Sequence, residues 1–231
     1  MNPTQLDELL RHPAVWRASG THDAPKTLPT GFRRLDALLP GGGWPLDTLI
    51  EFLVPSCGVG ELNLLVPALR QLGAGDPGPR RWIAWLEPPY LPYAPALASV
   101  GLDPGRMLVV RPRESRRGLR RGLSPQGTVP SSQSPSHALW AMEQALRSRA
   151  CAAALGWADS VDGNCLRRLK LAAEEGGSLG VLFRPPQRAS EPSPASLRLL
   201  LEPRGRTLDV VVLKSQGGAP GRVEGVVSSE Q

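Results

Sequence analysis

TLIEFLV (48–54), PSCGVG (55–60) and ELNLL (61–65) follow one another without a break. The first segment is a largely apolar run with β-branched and aromatic residues, the signature of a buried strand. The second is a tight glycine turn, and the third opens an apolar helical stretch predicted over Glu61–Leu72, with Pro67 expected to kink it. A strand, glycine turn and helix in that order is where nucleotide-binding α/β folds place a phosphate-binding loop.

Such a loop needs GxxxxGK[ST]. Its glycines free backbone donors, its Lys neutralises phosphate, and its hydroxyl binds magnesium. The window from Pro55 reads Pro, Ser, Cys, Gly, Val, Gly, Glu, Leu. Gly58 and Gly60 are present, but Pro55 stands for the first Gly, Glu61 for the Lys and Leu62 for the hydroxyl residue. At about 4 Å and an effective dielectric near 20, replacing Lys by Glu turns an attraction of roughly 4 kcal/mol into a similar repulsion. Glu61 reads either as a first-turn acid that complements the helix dipole or as an acidic contact for a partner. The apolar run ACAAALGW (150–157) lacks the terminal Asp that would hold a magnesium water shell, and Asp159 falls in the following loop. These residues predict no cofactor and no ATP hydrolysis. Glu87, at the end of another predicted strand, has no phosphate site to act on and reads as structural.

Working outward, a short helix fits Gly31–Leu39, and strands fit 81–86, 107–111, 151–156, 179–184, 196–201 and 208–213. Helical periodicity appears at 93–100, 137–149 and 163–175. Strands alternate with helices until the last two strands, which follow one another directly. This predicts an α/β fold: a mostly parallel central sheet, helices on both faces and an antiparallel C-terminal edge. Residues 1–28 read as an N-terminal amphipathic helix (Leu6, Leu9, Leu10, Val15, Trp16) and linker, and 29–216 as the core. Residues 118–136 and 217–231 are too polar and Gly/Pro-rich to offset ordering entropy, so a disordered insertion and a flexible tail are expected.

The 231 residues carry a net charge of +6. Arg111, Arg113, Arg116, Arg117, Arg120 and Arg121 cluster against the single acid Glu114, so the basic character belongs to one segment. That run reads as a solvated loop, a weak nucleic-acid contact or a contact for an acidic partner. Cys57, Cys151 and Cys165 form no CxxC pair, and His12, His22 and His137 have no ligand spacing. Neither a disulfide framework nor a metal site is expected. No apolar run approaches the roughly 18 residues of a membrane span, and the N-terminus lacks signal-peptide order, so a cytoplasmic protein without membrane contact is expected. Trp44, Trp82, Trp85, Trp140 and Trp157 read as core or interface residues.

Several segments read together as a family resemblance. PTGFRRLDALLPGGGWPLDTLIEF (29–52), VGLDPGRMLVVRP (100–112), HALWAMEQALRSRAC (137–151), LRRLKLAAEEGGSLGVLFRP (166–185) and SLRLLLEP…LDVVVLK (196–214) resemble the RecA core in content and order. GGGWP (41–45), PPYLPYAPALA (88–98), ALWAMEQALRS (138–148) and VLFRP (181–185) resemble the ImuA family of RecA-like and SulA-like proteins more closely. The resemblance covers about 15–214. It implies a RecA-like core and an accessory role in SOS-induced translesion DNA synthesis. The implied partners are an ImuB-like polymerase-related protein, an error-prone C-family DNA polymerase complex, and RecA. Two alternatives stand beside it: a SulA-like cell-division inhibitor binding FtsZ, and a residual RecA/RadA-type ATPase. The two DNA-gripping loops of RecA correspond to 158–164 and 184–194. The first offers only acids. The second offers Arg184 and Arg188, which with Arg113, Arg116, Arg117, Arg120 and Arg121 are the candidates for weak single-stranded DNA contact.

Overall fold

The computed structural model describes residues 26–75, 80–111 and 135–228. The predicted N-terminal helix with His12 and Trp16, the linker residue His22, the Arg113–Arg121 cluster and most of the expected insertion lie outside the described residues. A two-stranded antiparallel ladder joins β1 (Thr27–Leu28) to β2 (Trp44–Pro45). The main sheet has eight strands: β3 (Thr48–Leu53), β4 (Trp82–Leu86), β5 (Met107–Val110), β6 (Cys151–Trp157), β7 (Leu179–Arg184), β8 (Leu197–Arg204), β9 (Thr207–Ser215) and β10 (Gly221–Ser228). Their spatial order is β10-β9-β8-β3-β7-β6-β4-β5. β8, β3, β7, β6, β4 and β5 are mutually parallel, and β9 and β10 close the edge antiparallel. The sequence expectation of a mostly parallel sheet with an antiparallel C-terminal edge holds.

β3 lies at the centre, between β7 and β8, which is why each of its six residues is buried. Ile50, Phe52 and their neighbours Val181 and Phe183 pack on one face beneath Leu65, Ala68 and Leu69. Ala68 and Leu69 belong to α2 (Val66–Ala74), the second helix after the four-residue α1 (Arg33–Asp36). The other face lies under α4 (Pro135–Arg147) and α5 (Gly163–Gly176), whose Met142, Leu146, Leu166 and Leu169 meet Leu49, Ala154 and Leu182. α3 (Ala94–Ser99) is short and carries no buried residue. The two helices α4 and α5 approach closely at Gly176, where a Cβ would stand 1.8 Å from the Leu146 carbonyl oxygen.

Two expectations are corrected here. The helix predicted from Glu61 begins only at Val66, because 60–65 turn through successive short-range hydrogen bonds (Asn63 N–H to the Gly60 carbonyl, Leu65 N–H to that of Leu62). Pro67 therefore sits in the first helical turn, where its missing N–H has no partner to lose, and no kink results. The tail expected from Gly217 is instead strand β10, paired to β9 through Val223–Val210 and Val227–Leu208. Two buried valines, Val223 and Val227, supply the apolar surface that composition averaging over the tail concealed.

Where the parallel strands begin, Arg81 ties the chain at the ends of α4 and α5 to the sheet. Its guanidinium donates to the carbonyls of Arg149 (2.9 Å), Gly177 (2.7 Å), Gly176 (3.0 Å) and Cys151, and to the Ser178 hydroxyl (3.0 Å). It thus satisfies carbonyls at the end of α5 that have no intrahelical partner. Urea denaturation of Arg81→Ala should show a loss of about 2–4 kcal/mol, since charged hydrogen bonds to buried acceptors contribute about 1.5–3 kcal/mol each without being additive. Arg81→Lys should recover less than half of that loss, because an ammonium lacks the planar fork. Full stability of Arg81→Ala would contradict this role.

Candidate functional site

Because β3–β8 run parallel, the 55–62 turn, Glu87, Arg111, Asp159 and Arg184 all lie at one end of the sheet, the end at which open α/β sheets bind ligands. The turn there is closed upon itself. Gly58 (φ 91°) and Gly60 (φ 99°) adopt backbone conformations that side-chain-bearing residues rarely reach. They bend the chain so that the Gly58 N–H donates to both Glu61 carboxylate oxygens, at 2.9 and 3.1 Å. Glu61 is only 3% exposed. It is neither in the first turn of α2 nor free to meet a partner. The two readings drawn from the sequence are therefore both replaced by a third: the acid plugs its own loop. Leu208 and Val227, from the antiparallel edge, approach Gly60 from the other side.

The enclosed charge marks its neighbour. Burial, assisted by the Glu61 carboxylate, pushes the Cys57 thiol up to about 11. Cys57, Cys151 and Cys165 are all free thiols, and burial raises the other two as well.

Beside the turn, Trp157 occupies the end of β6. Its indole stacks on Phe183 (centroids 4.8 Å) and on Trp85 (5.6 Å), Phe183 meets Phe52 edge-on (5.4 Å), and Phe52 touches Trp44 (5.6 Å). A ladder of five rings thus lines the sheet face that also carries the turn. Trp44, Trp85 and Trp157 are core residues as expected from the sequence, whereas Trp82 and Trp140 are exposed, Trp82 under the Arg106 guanidinium.

Asp159 faces away from this ladder, toward Arg188 (Oδ1 to both Nε and Nη2 at 3.2 Å). Arg188 also holds Glu191 (2.7 Å), which binds Arg184 (2.8 Å). Arg184 reaches Glu51 (3.2 Å), and Arg198 closes the network on the other Glu51 oxygen (2.6 Å). Asp162 caps α5 by accepting from the Asn164 and Cys165 N–H groups. Every charged side chain of 158–164 and 184–194 is thereby engaged. Arg184 is 0% exposed, so its assignment as a nucleic-acid contact is corrected: a guanidinium clamped under the sheet between two carboxylates cannot reach a phosphate. Arg188 is partly exposed but held by two acids, and the hydrogen bonds to Glu191 and Asp159 raise its pKa. The same Arg188 bond holds Glu191 below the usual carboxylate range. Arg198 escaped the sequence reading. Its signal was a charged residue inside each of three otherwise apolar strands, TLIEFLV, VLFRP and SLRLLLEP, which three buried charges of mixed sign can share.

Glu87 ends β4 in a positive-φ conformation (52°), and burial raises its carboxyl while the Arg111 charge opposes that rise. The Arg111 guanidinium donates to the Pro88 carbonyl (2.8 Å). Among the described residues no helix is long and apolar enough to cross a membrane.

These features define an α/β protein whose central strand–turn–helix unit is occupied by its own carboxylate. The chain is a distant homologue of proteins named ImuA and SulA, as the sequence resemblance implied. It is 27% identical over 169 residues to Protein ImuA of two Caulobacter vibrioides strains, covering 71% of this chain and 60% of theirs. It is 30% identical over 122 residues to Cell division inhibitor SulA of Edwardsiella piscicida, covering 53% of this chain and 58% of that one. The chain therefore spans about three fifths of the length of the curated relatives it matches. No protein-family model matches it.

The closed turn makes Cys57 a reporter. With a thiol at about 11, alkylation of Cys57 at pH 8 should run more than tenfold slower than that of an ordinary exposed thiol near 8.5. In Glu61→Gln the negative charge that disfavours thiolate is gone, so alkylation at the same pH should accelerate. Equal rates in the two proteins would show that Glu61 does not lie against the turn.

Proposed function

We propose that this protein is a non-hydrolysing, RecA-like accessory factor of DNA-damage-induced translesion synthesis that acts by protein–protein contact. The observation that carries the reading is Glu61 bound to the Gly58 N–H inside the turn. A phosphate-binding loop attracts anions with its backbone donors. Here one such donor is saturated, and an incoming triphosphate would meet a fixed negative charge in place of a Lys. Trp157 supports the same reading, since an indole at the end of β6 offers magnesium no oxygen ligand. The engaged loops after β6 and β7 support a protein that does not grip DNA in the manner of an active recombinase.

Relatives named ImuA and SulA support a DNA-damage-associated accessory role in general. We assign the finer role by the longer match, which favours ImuA. On that reading the partners are an ImuB-like polymerase-related protein, the error-prone C-family polymerase complex it serves, and RecA. The match to SulA favours a second reading, inhibition of FtsZ-dependent division. A gel-filtration and FtsZ-assembly comparison separates the two. The first reading predicts co-elution with the ImuB-like protein of the same genome and unchanged FtsZ polymerisation. Loss of FtsZ assembly at stoichiometric protein, without ImuB-like binding, would replace the first reading with the second.

A further inference from the structure

The edge strand β10 pairs with β9 in two short stretches of ladder, Gly221–Val223 and Val227–Ser228. Between them residues 224–226 of β10 stand opposite the single residue Asp209 of β9, a bulge wider than the usual two against one. One side chain bridges the gap. Asp209, 1% exposed, accepts the Gly225 N–H on Oδ1 (2.8 Å) and the Arg222 guanidinium on Oδ2 (2.9 Å). Gly225 has a left-handed backbone (φ 60°) that a side chain would oppose. The arrangement repeats that of the 55–62 turn, where a buried carboxylate likewise satisfies the N–H of a positive-φ glycine.

The two carboxylates are joined through the residues beside Asp209. The first ladder pair beyond the bulge is Leu208–Val227, and both side chains are buried. A Cβ built at Gly60 would lie 3.8 Å from Leu208 Cδ2 and 3.8 Å from Val227 Cγ1, so this pair faces the turn from the antiparallel edge. Cys57, Val59 and Leu62 of the turn pack against the same core. The bulge is also held from α1, whose Arg34 donates to the Glu224 carbonyl (3.0 Å). An edge strand is paired on one side only and opens locally more readily than a central one. Whatever closes the bulge therefore decides how firmly Val227, with Leu208 beside it, is held over Gly60.

We propose that β10 is an intramolecular strap across the 55–62 turn, latched by Asp209 as a positioning residue. The strap acts through Val227 on Gly60 and closes the turn a second time, apart from the Gly58–Glu61 bond. It stands on these contacts alone and does not depend on which partner the protein serves. In Asp209→Ala the Gly225 N–H loses its acceptor, and Arg222 falls back on the exposed carboxylates of Glu202 and Glu224. The bulge then opens, and Val227 is released from the turn.

The test is alkylation of the full chain at about pH 8, with Cys57, Cys151 and Cys165 read separately by peptide mass spectrometry. Cys57 lies in the turn. Cys151 and Cys165 are buried in the layer beneath α4 and α5 and report opening of the whole fold. Asp209→Ala should be alkylated at Cys57 about tenfold faster than wild type, the scale of one lost charged hydrogen bond, with Cys151 and Cys165 unchanged. Asp209→Asn keeps an acceptor for the Gly225 N–H and should recover most of the protection. Val227→Ala leaves the Asp209 bonds intact and should also accelerate Cys57. Equal Cys57 rates in wild type and both alanine variants would overturn the strap. Parallel acceleration of all three thiols would overturn it too, because β10 would then open only with the fold as a whole. Acceleration by Val227→Ala alone would overturn the part assigned to Asp209. Should Asp209→Ala fail to fold, Asp209→Asn and Val227→Ala decide by the same three readings.

Discussion

The Gly58 N–H and the Glu61 carboxylate hold one another across a turn of four residues, and much of the surrounding architecture follows from that bond. It requires left-handed backbone at Gly58 and Gly60, which is why glycine stands at both positions. It draws Glu61 out of any helix, so α2 starts later, at Val66, with Pro67 in its first turn. It places a buried negative charge beside Cys57, which adds to the rise that burial imposes on that thiol. A carboxylate in this position supplies internally what a phosphate would supply from outside.

The rest of the sheet end has been filled in the same sense. Trp157, stacked between Phe183 and Trp85, extends the apolar core to the mouth of the parallel strands. The Glu51–Arg184–Arg198 group and its extension to Glu191, Arg188 and Asp159 bind the following loops to the base of β3. Buried charges of this kind are costly to desolvate and are weak evidence for stability. Here their visible effect is positional: they fix the 158–164 and 184–194 loops against the end of the sheet.

The fold was legible in the sequence because its signals are local. Parallel strands buried on both faces read as apolar runs, and TLIEFLV, ACAAALGW and SLGVLFRP each became a strand near its predicted limits. The acid Glu61 after the glycine turn was also legible, but its destination was not. Whether an acid in a glycine turn points at solvent, along a helix axis or back at its own backbone depends on two φ angles that no periodicity encodes. Arg184 was misassigned for a related reason. A basic residue at a strand end reads as a surface cation until its opposite charge is found, and Glu51 lies 133 residues away in the chain. The strand β10 was hidden by the glycines and polar residues around Val223 and Val227, because half of an edge strand faces water.

The most direct test of the central claim is calorimetric titration of Mg·ATP into the wild-type protein. The closed turn predicts no saturable heat up to about 1 mM nucleotide. A one-to-one isotherm in the micromolar range, lost when Gly60 is replaced by Val, would show that the turn opens to accept a triphosphate and would contradict the account.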